Sequence, residues 1–586
     1  MTTIIGISAN FHDSACCLLH NGNLVAAAQE ERFSRIKHDA SWPKKSFLYC
    51  LNQGGFTVTD IDCLAYYENP RTKLSRQLCM SNCNLSEERL VELWRRCQDP
   101  LLQIREILGF EGQIEFVDHH QAHAASSYYY SGFPESAIMT VDGVGEWATT
   151  TYGYGTDKNL TSFEEVHFPD SLGLLYSAIT GYLGFSVNDG EYKVMGLAPY
   201  GRPAYVRKIR ALIQSRSGGQ FELDMSKFDF TQADHMLSPE FFAYLGVPAR
   251  PAGTPILSAH RDIACSLQVV LEEILLEKAK FLHEKTQSEN LCLAGGVALN
   301  CVANGRIYRE GPFKRLFVQP AAGDAGSSLG AAALAHVKIT RQHPIKEQLK
   351  HVYLGPGFCN EDIVTLLRDM PLDHVSFQDD EQGLVDASVG KLIDGRVLGW
   401  FQGRMEFGPR ALGARSILAD PRRVEVQDRI NRCIKRREDF RPFAPSVLTD
   451  RADEHFDLGH DSPFMLETCK VMSALSLPAI THVDGSARPQ TVCRGTNPRF
   501  ARLLEAFEFR TGCPILLNTS FNMRGEPIVC TPVDALLCFI KSGLDTLVLE
   551  NCIVDRESVD PVWISVISGL SIQGKHDVSK FVYTFM

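Results

Sequence analysis

Apolar residues gather first at positions 3 to 9, break at Phe11-His12-Asp13-Ser14, and resume from Ala15 to Leu19. They turn at Asn21-Gly22-Asn23 and run again from Leu24 to Ala28. Short apolar runs bounded by Gly, Asn and Asp predict a strand, a polar loop and a hairpin. The same order returns from Ala137 to Val141, through Asp142-Gly143, Ala148 to Gly153, the Thr156-Asp157-Lys158-Asn159 turn, and Leu160 to Val166. Residue identity does not repeat but the order of elements does, which predicts a duplicated topology.

Two such α/β lobes, each offering an acidic loop to a cleft, resemble the actin and sugar-kinase class. Helical periodicity follows from Asp262 to Glu284, then a strand from Leu291 to Ala294 ending at Gly295-Gly296. A strand from Leu316 to Gln319 leads to Asp324-Ala325-Gly326-Ser327-Ser328 and an Ala-rich helix. Both turns fall at C-terminal strand ends, where open α/β sheets bind ligands. Residues 340 to 356, with Pro344 and Pro356, read as a linker, so the first domain is expected to span 1–350. A second α/β domain, 351–557, holds strand patterns at Arg396 to Phe401, Pro514 to Asn518 and Thr546 to Glu550, with a helix near Pro532 to Lys541. Residues 558–586 form an extension without recognisable chemistry.

A chain of 586 residues exceeds one compact core. Its 44% hydrophobic and 22% charged content suits a folded globular protein. The net charge of -11 argues against general affinity for nucleic-acid backbones or anionic membranes. Neither a signal-peptide pattern nor a bilayer-length apolar run is present, so a cytoplasmic location is expected. The 18 Cys, scattered and without CxxC pairs, are expected to be mostly buried free thiols.

His119 and His123 lie four residues apart after an apparent strand, so one helical face can aim both imidazoles at one ion. Asp142 and Asp324, at strand ends, could complete a site suited to Fe(II), Mn(II) or Zn(II). The spacing alone equally suits two polar surface histidines. Gly295 and Gly296 allow close backbone approach to a ribose or phosphate, and Asn300 can hydrogen-bond a base or sugar. Tight helix–strand packing would use the same glycines. Lys193 could neutralise a phosphate or remain a solvated loop lysine.

Between Arg404 and Arg441 there are 11 Lys/Arg and 6 Asp/Glu, a local excess of 11 − 6 = 5 positive charges in an acidic chain. Gly408-Pro409-Arg410 reads as a turn presenting a guanidinium, with Lys435 and Arg441 nearby, and Arg488, Asn518 and Ser520 add further anion donors. For any one of these arginines a surface ion pair is the default reading; together, framed by Gly and Pro, they point to an anion pocket. RNA binding would call for interleaved stacking aromatics, which the basic run lacks. His12, after the first strand, could take a proton from an alcohol or be an ordinary loop histidine.

Taken in order, Phe11-His12-Asp13-Ser14-Ala15, Glu30-Glu31-Arg32-Phe33, His119-His120-Gln121-Ala122-His123, Lys193-Val194-Met195-Gly196-Leu197-Ala198 and Gly295-Gly296-Val297-Ala298-Leu299-Asn300 resemble the NodU/CmcH/TobZ family of O-carbamoyltransferases. The resemblance continues through Gly408-Pro409-Arg410-Ala411-Leu412-Gly413, Arg441-Pro442-Phe443-Ala444-Pro445, Arg488-Pro489-Gln490-Thr491, Asn518-Thr519-Ser520-Phe521-Asn522 and Arg524-Gly525-Glu526-Pro527. It implies an actin-like (ASKHA, Kae-like) N-terminal domain joined to a YrdC-like C-terminal α/β domain. It further implies that carbamoyl phosphate and ATP give carbamoyl-adenylate in the C-terminal domain, and that the carbamoyl group passes in the N-terminal domain to a hydroxyl of a small natural product. On matching positions, Arg410, Lys435, Arg441, Arg488 and Ser520 would hold phosphates or adenylate, and Arg410 and Lys435 would act catalytically. His119, His123, Asp142 and Asp324 would bind Fe(II); Gly295, Gly296 and Asn300 would hold adenosine; His12 would be the acceptor-side acid/base. Mg(II) is expected with ATP. Asn10 is neutral where some relatives carry an acidic residue able to engage a cationic acceptor. An RNA-modifying carbamoyltransferase and a non-enzymatic, nucleotide-binding regulatory protein are the alternatives.

Overall fold

The computed structural model describes residues 1–80, 87–231, 235–344, 347–370 and 372–569. The chain divides into two compact units. Of the described residues, the first comprises Met1–Glu30 and His38–Leu349, and the second Glu31–Lys37 and residues 350–569.

In the first unit the opening apolar runs become β1 (Thr3–Ser8), β2 (Ala15–His20) and β3 (Asn23–Gln29), joined by β4 (Cys63–Tyr66) and β5 (Gln113–Phe116) in the order β3-β2-β1-β4-β5. The second set gives β6 (Glu135–Val141), β7 (Ala148–Thr156) and β8 (Asn159–His167). After a small hairpin of β9 (Ile213–Ser215) and β10 (Phe221–Leu223), β11 (Asn290–Ala294) and β12 (Arg315–Val318) complete the order β12-β11-β6-β7-β8. β1 runs antiparallel to β2 and parallel to β4; β6 runs antiparallel to β7 and parallel to β11. The two sheets therefore share one topology, the duplicated actin-like α/β arrangement that the polar breaks predicted.

The His119–Tyr128 and Asp324–Thr340 helices pack against each other. Their approach needs Gly330: a Cβ there would lie 1.8 Å from the Ala122 carbonyl oxygen.

The second unit is built on an eight-stranded sheet, β13-β22-β21-β14-β15-β20-β16-β19. Its strands are β13 (Val375–Ser376), β14 (Leu398–Phe401), β15 (Arg415–Ala419), β16 (Ala444–Leu448), β19 (Gln490–Val492), β20 (Ile515–Ser520), β21 (Thr546–Leu549) and β22 (Cys552–Asp555). A separate pair joins β17 (Cys469–Lys470) to β18 (Ser486–Ala487). The core is large, with Trp400, Phe401, Ile417, Leu516 and Phe539 fully buried. β15 lies inside the stretch that the sequence showed chiefly as a basic run, and β16 follows directly after it. Arg415 opens β15 fully buried, its guanidinium 3.6 Å from the Phe401 ring centroid and donating to the carbonyls of Gln402, Ala414, Pro356 and Gly403. A charge spent inside the core made a buried strand look like surface. Past β22, the Pro561–Gly569 helix packs on the Pro532–Ser542 helix; the rest of the expected extension lies outside the described residues. Among the described residues no helix is long and apolar enough to cross a membrane.

Candidate active site

In the first unit the C-terminal ends of parallel strands deliver the chemistry. β5 runs into the His119–Tyr128 helix, β6 into Asp142, β11 into Gly295, and β12 is followed by the helix that opens at Asp324. The Nε2 atoms of His119 and His123 are 3.1 Å apart. Asp142 Oδ2 lies 3.1 and 3.5 Å from them, and Asp324 Oδ1 lies 3.7 and 3.5 Å from them. A divalent ion with bonds of about 2.1 Å to nitrogen and oxygen separates neighbouring donors by roughly 3.0 to 3.4 Å. The four donor atoms therefore fit one ion, and two nitrogens with two carboxylates suit Fe(II), Mn(II) or Zn(II). Asp324 Oδ2 and His119 Nδ1 are buried with no hydrogen-bond partner among the described residues.

Electrostatics agree with that reading. Burial alone would lower the His123 pKa, but hydrogen bonds with Asp142 and Asp324 push it up to about 9. Burial opposes the Asp142 charge, yet the two imidazoles hold its carboxyl well below the usual range. A proton shared within this quartet would have to leave before an ion could bind there. Asp142 is oriented by the Gly296 N–H, which donates to its Oδ1 at 2.9 Å and leaves Oδ2 toward the histidines. Gly295 has φ 93°, and a Cβ on it would meet the Val141 carbonyl oxygen at 2.2 Å; only glycine fits. The Gly-Gly pair thus lets β11 pack tightly against the end of β6 and supports an acidic donor there.

Sequence reasoning missed the supports of this quartet. Ser327 Oγ lies 3.0 Å from His123 Nδ1, and such outer partners fix a ligand imidazole's tautomer. Glu146 accepts the N–H of His119 at 3.0 Å and that of Asn69 at 2.6 Å, answering the unpaired donors of the helix start. Ser327 falls three residues after Asp324 on one helix, a spacing that could have flagged it; Glu146 carried no such signal.

His12 heads a chain of close contacts. Its Nδ1 is 3.0 Å from Asp13 Oδ2; His38 Nδ1 is 2.9 Å from Asp13 Oδ1, and His38 Nε2 is 3.2 Å from Asp189 Oδ1. Lys193 Nζ sits 3.9 Å from Asp189 Oδ2 and 5.9 Å from the centroids of the Phe185 and Tyr192 rings. Lys193 thus stands at the far end of a chain of contacts that begins at His12. Burial would lower the His12 pKa, but the Asp13 hydrogen bond and the Asp324 charge push it up to about 9. Asn300 caps the Cys301–Glu310 helix, accepting the Ala303 N–H at 3.1 Å, and pairs its amide with Gln268 at 3.0 Å; the side chain offered for a base or sugar is engaged internally.

In the second unit strand directions gather the other candidates at one sheet end. Arg410 stands in the turn before β15 and Arg441 shortly before β16. Arg488 lies just before β19, and Ser520 ends the antiparallel β20, opposite Ser416. Lys435 is buried there, its ammonium donating to the Ser520 carbonyl, to Ser520 Oγ at 3.1 Å, to the Asn522 carbonyl at 3.0 Å and to Asn522 Oδ1 at 2.7 Å. Burial, then the charges of Arg437 and Arg441, pull its pKa well below the usual lysine range. The Arg410 turn is braced. Glu406 Oε1 accepts the N–H groups of Leu412 and Ala414 at 2.6 and 2.8 Å, while Tyr353 and Gln490 donate to the Leu412 carbonyl and Trp400 to that of Gly413. Asn518 Nδ2 donates to Ser446 and Gln490, each at 3.0 Å, joining neighbouring strands. Much of the basic run is turned elsewhere: Arg422 pairs with Asp420, Arg429 with Asp545 and Arg432 with Asp439.

Both units have counterparts in known sequences. The model of the carbamoyltransferase N-terminus matches residues 3–333, and that of the carbamoyltransferase C-terminus matches residues 389–556. The chain belongs to the carbamoyltransferase family and is therefore an enzyme. It is 44% identical to an uncharacterised protein of Synechocystis over 95% of this chain and 97% of that one. Nodulation protein NolNO of Sinorhizobium fredii is 40% identical over 94% of this chain and 80% of its own length. The 3'-hydroxymethylcephem-O-carbamoyltransferase of Amycolatopsis lactamdurans is 37% identical over 46% of this chain and 49% of its own.

Proposed function

We propose that the enzyme is an ATP-dependent O-carbamoyltransferase that converts carbamoyl phosphate and ATP to carbamoyl-adenylate and passes the carbamoyl group to a hydroxyl of a small natural product. The observation carrying this reading is the presence, in one chain, of a metal-donor quartet in one unit and a sheet end lined with Arg410, Lys435, Arg441, Arg488 and Ser520 in the other. Relatives named for O-carbamoylation of a cephem support a hydroxyl acceptor.

Atom balance defines the first half-reaction. Forming the adenylate with loss of pyrophosphate consumes one water and releases the phosphate of carbamoyl phosphate. The cations of the second unit hold the phosphates and stabilise charge that develops on them; Mg(II) accompanies ATP. In the second half-reaction an acceptor hydroxyl attacks the carbamoyl carbon, its proton is lost and AMP leaves. His119, His123, Asp142 and Asp324 would hold Fe(II), which when bound supplies Lewis acidity toward the departing phosphate. Gly295 and Gly296 would hold adenosine through their backbone, and Lys193 would offer positive charge near the phosphate. His12, oriented by Asp13, receives the acceptor proton once neighbouring negative charge is neutralised.

The test is to supply full-length enzyme with ATP and carbamoyl phosphate and no acceptor. Phosphate and pyrophosphate are expected in equal amounts, with carbamoyl-adenylate detected by mass spectrometry. ATP turnover that ignores carbamoyl phosphate would sink the proposal.

A further inference from the structure

The second unit contains a short piece of chain from far upstream. Glu31–Lys37 lies between β3 and the Lys44–Gly54 helix in sequence, yet it packs with the residues that follow Lys350. One helical turn, Glu31–Ser34, ends at Arg35, whose φ of 61° is in the left-handed region that non-glycine residues enter at a cost. Both arginines of this segment are used on backbone carbonyls. Arg32 is 3% exposed, pairs with Glu31 at 2.9 Å and donates to the Gly408 carbonyl at 2.9 Å. Arg35 donates to the carbonyls of Ile528 at 2.7 Å and Pro527 at 2.9 Å, with Asp534 Oδ1 at 3.5 Å.

Those carbonyls belong to the two loops that deliver the adenylating groups. Gly408 stands two residues before Arg410. Pro527 and Ile528 close the loop that leaves β20 at Ser520; Lys435 grips its near end at Ser520 and Asn522, and Asn522 Nδ2 donates to the Glu526 carbonyl at 2.7 Å. Asp534 in turn accepts the N–H groups of Cys530 and Thr531 at 3.1 and 2.9 Å. A planar guanidinium spanning two successive carbonyls fixes a loop more tightly than an ammonium can. Small displacements of binding groups are felt steeply in catalysis.

We propose that Glu31–Lys37 is a strap completing the adenylating centre of the second unit, with Arg32 and Arg35 as positioning residues for the Gly408–Arg410 turn and the Ser520–Ile528 loop that receive carbamoyl phosphate. The inference rests on the adenylation reading above. It assigns part of the first half-reaction to residues 31–37, far upstream of the matched C-terminal region 389–556.

The experiment is carbamoyl-phosphate-dependent pyrophosphate release by the full chain, without acceptor, for wild type, Arg32→Ala, Arg35→Ala and Arg35→Lys, with melting temperature measured alongside. Arg35→Ala is expected to raise the KM for carbamoyl phosphate about tenfold or more, since displacement of a positioned group costs up to about a hundredfold. Arg35→Lys, which can reach one carbonyl, is expected to fall between it and wild type. Wild-type KM in folded Arg32→Ala and Arg35→Ala overturns the strap, as does a loss of activity tracking only the amount of folded protein. Should Arg35→Ala not fold, an unchanged KM in Arg35→Lys and Arg32→Ala overturns it equally. Wild-type enzyme that releases no pyrophosphate removes the adenylation reading itself, so the two failures are distinguishable.

Discussion

In the proposed metal centre, a proton and a metal would compete for Nε2 of His123. With its pKa pushed up to about 9 by Asp142 and Asp324 against the pull of burial, Nε2 carries a proton at neutral pH that must leave before it can ligate. Metal affinity is therefore expected to rise with pH until about 9 and then level, with protons released to the buffer on binding; calorimetric titration of Mn(II) or Fe(II) in buffers of different ionisation enthalpy checks both. A pH-independent affinity contradicts the assignment. Substitutions should separate the half-reactions. His119→Ala removes one of four donors and is expected to lose metal and carbamoyl transfer, with pyrophosphate release retained. Lys435→Ala takes away the ammonium that holds Ser520 and Asn522 and is expected to abolish pyrophosphate release. Metal content and the two activities, measured on the same preparations, decide it. The histidine spacing and the two aspartates were legible as candidates because each has a local signature. Asp13, His38 and Asp189 were not read together, since their pairing joins positions 25 and 151 residues apart.

At the level of elements, the site depends on how closely two helices approach. The donors His119 and His123 ride on one helix and Asp324 on the other, and Gly330 permits their contact. Gly330→Ala would drive a methyl into the Ala122 carbonyl, and overpacking of this kind costs about 1–3 kcal/mol. The expected result is a lower melting temperature together with weakened metal binding; a variant that binds metal as wild type does would show the quartet to be independent of helix spacing. The Thr531 cap tests a different element. Its hydroxyl accepts the Asp534 N–H at 3.1 Å while Asp534 accepts the Thr531 N–H. Losing such a cap costs about 1 kcal/mol, so Thr531→Ala should loosen the Pro532–Ser542 helix, read as faster amide exchange in that helix. Strands bounded by turn residues were readable from alternation and breaks. β15 was not, because Arg415 answers its charge with four carbonyls and an aromatic face that only folding brings together.

Across the whole molecule, two centres with different ligands should report separately. A ligand at about a hundred times its Kd stabilises the folded state by about 2.7 kcal/mol. Hydrogen exchange is expected to slow around His119–Tyr128 and the start of the Asp324–Thr340 helix when Fe(II) or Mn(II) is added. Carbamoyl phosphate should slow it around residues 408–441 and 520–530. Identical protection patterns for both ligands would contradict two separate centres. The sequence by itself determined the duplicated strand order, the HxxxH spacing and the Gly- and Pro-framed cation motifs, because alternation, helical periodicity and turn chemistry act between near neighbours. Only the tertiary structure decided that Asp142 and Asp324 face those histidines, that Arg422 and Arg429 are spent on aspartates while Arg410, Lys435 and Arg441 share a sheet end, and that an upstream segment belongs to the second unit. The reason is physical: a buried charge takes its meaning from the groups that answer it, and strand direction and helix contact bring those groups from distant parts of the chain.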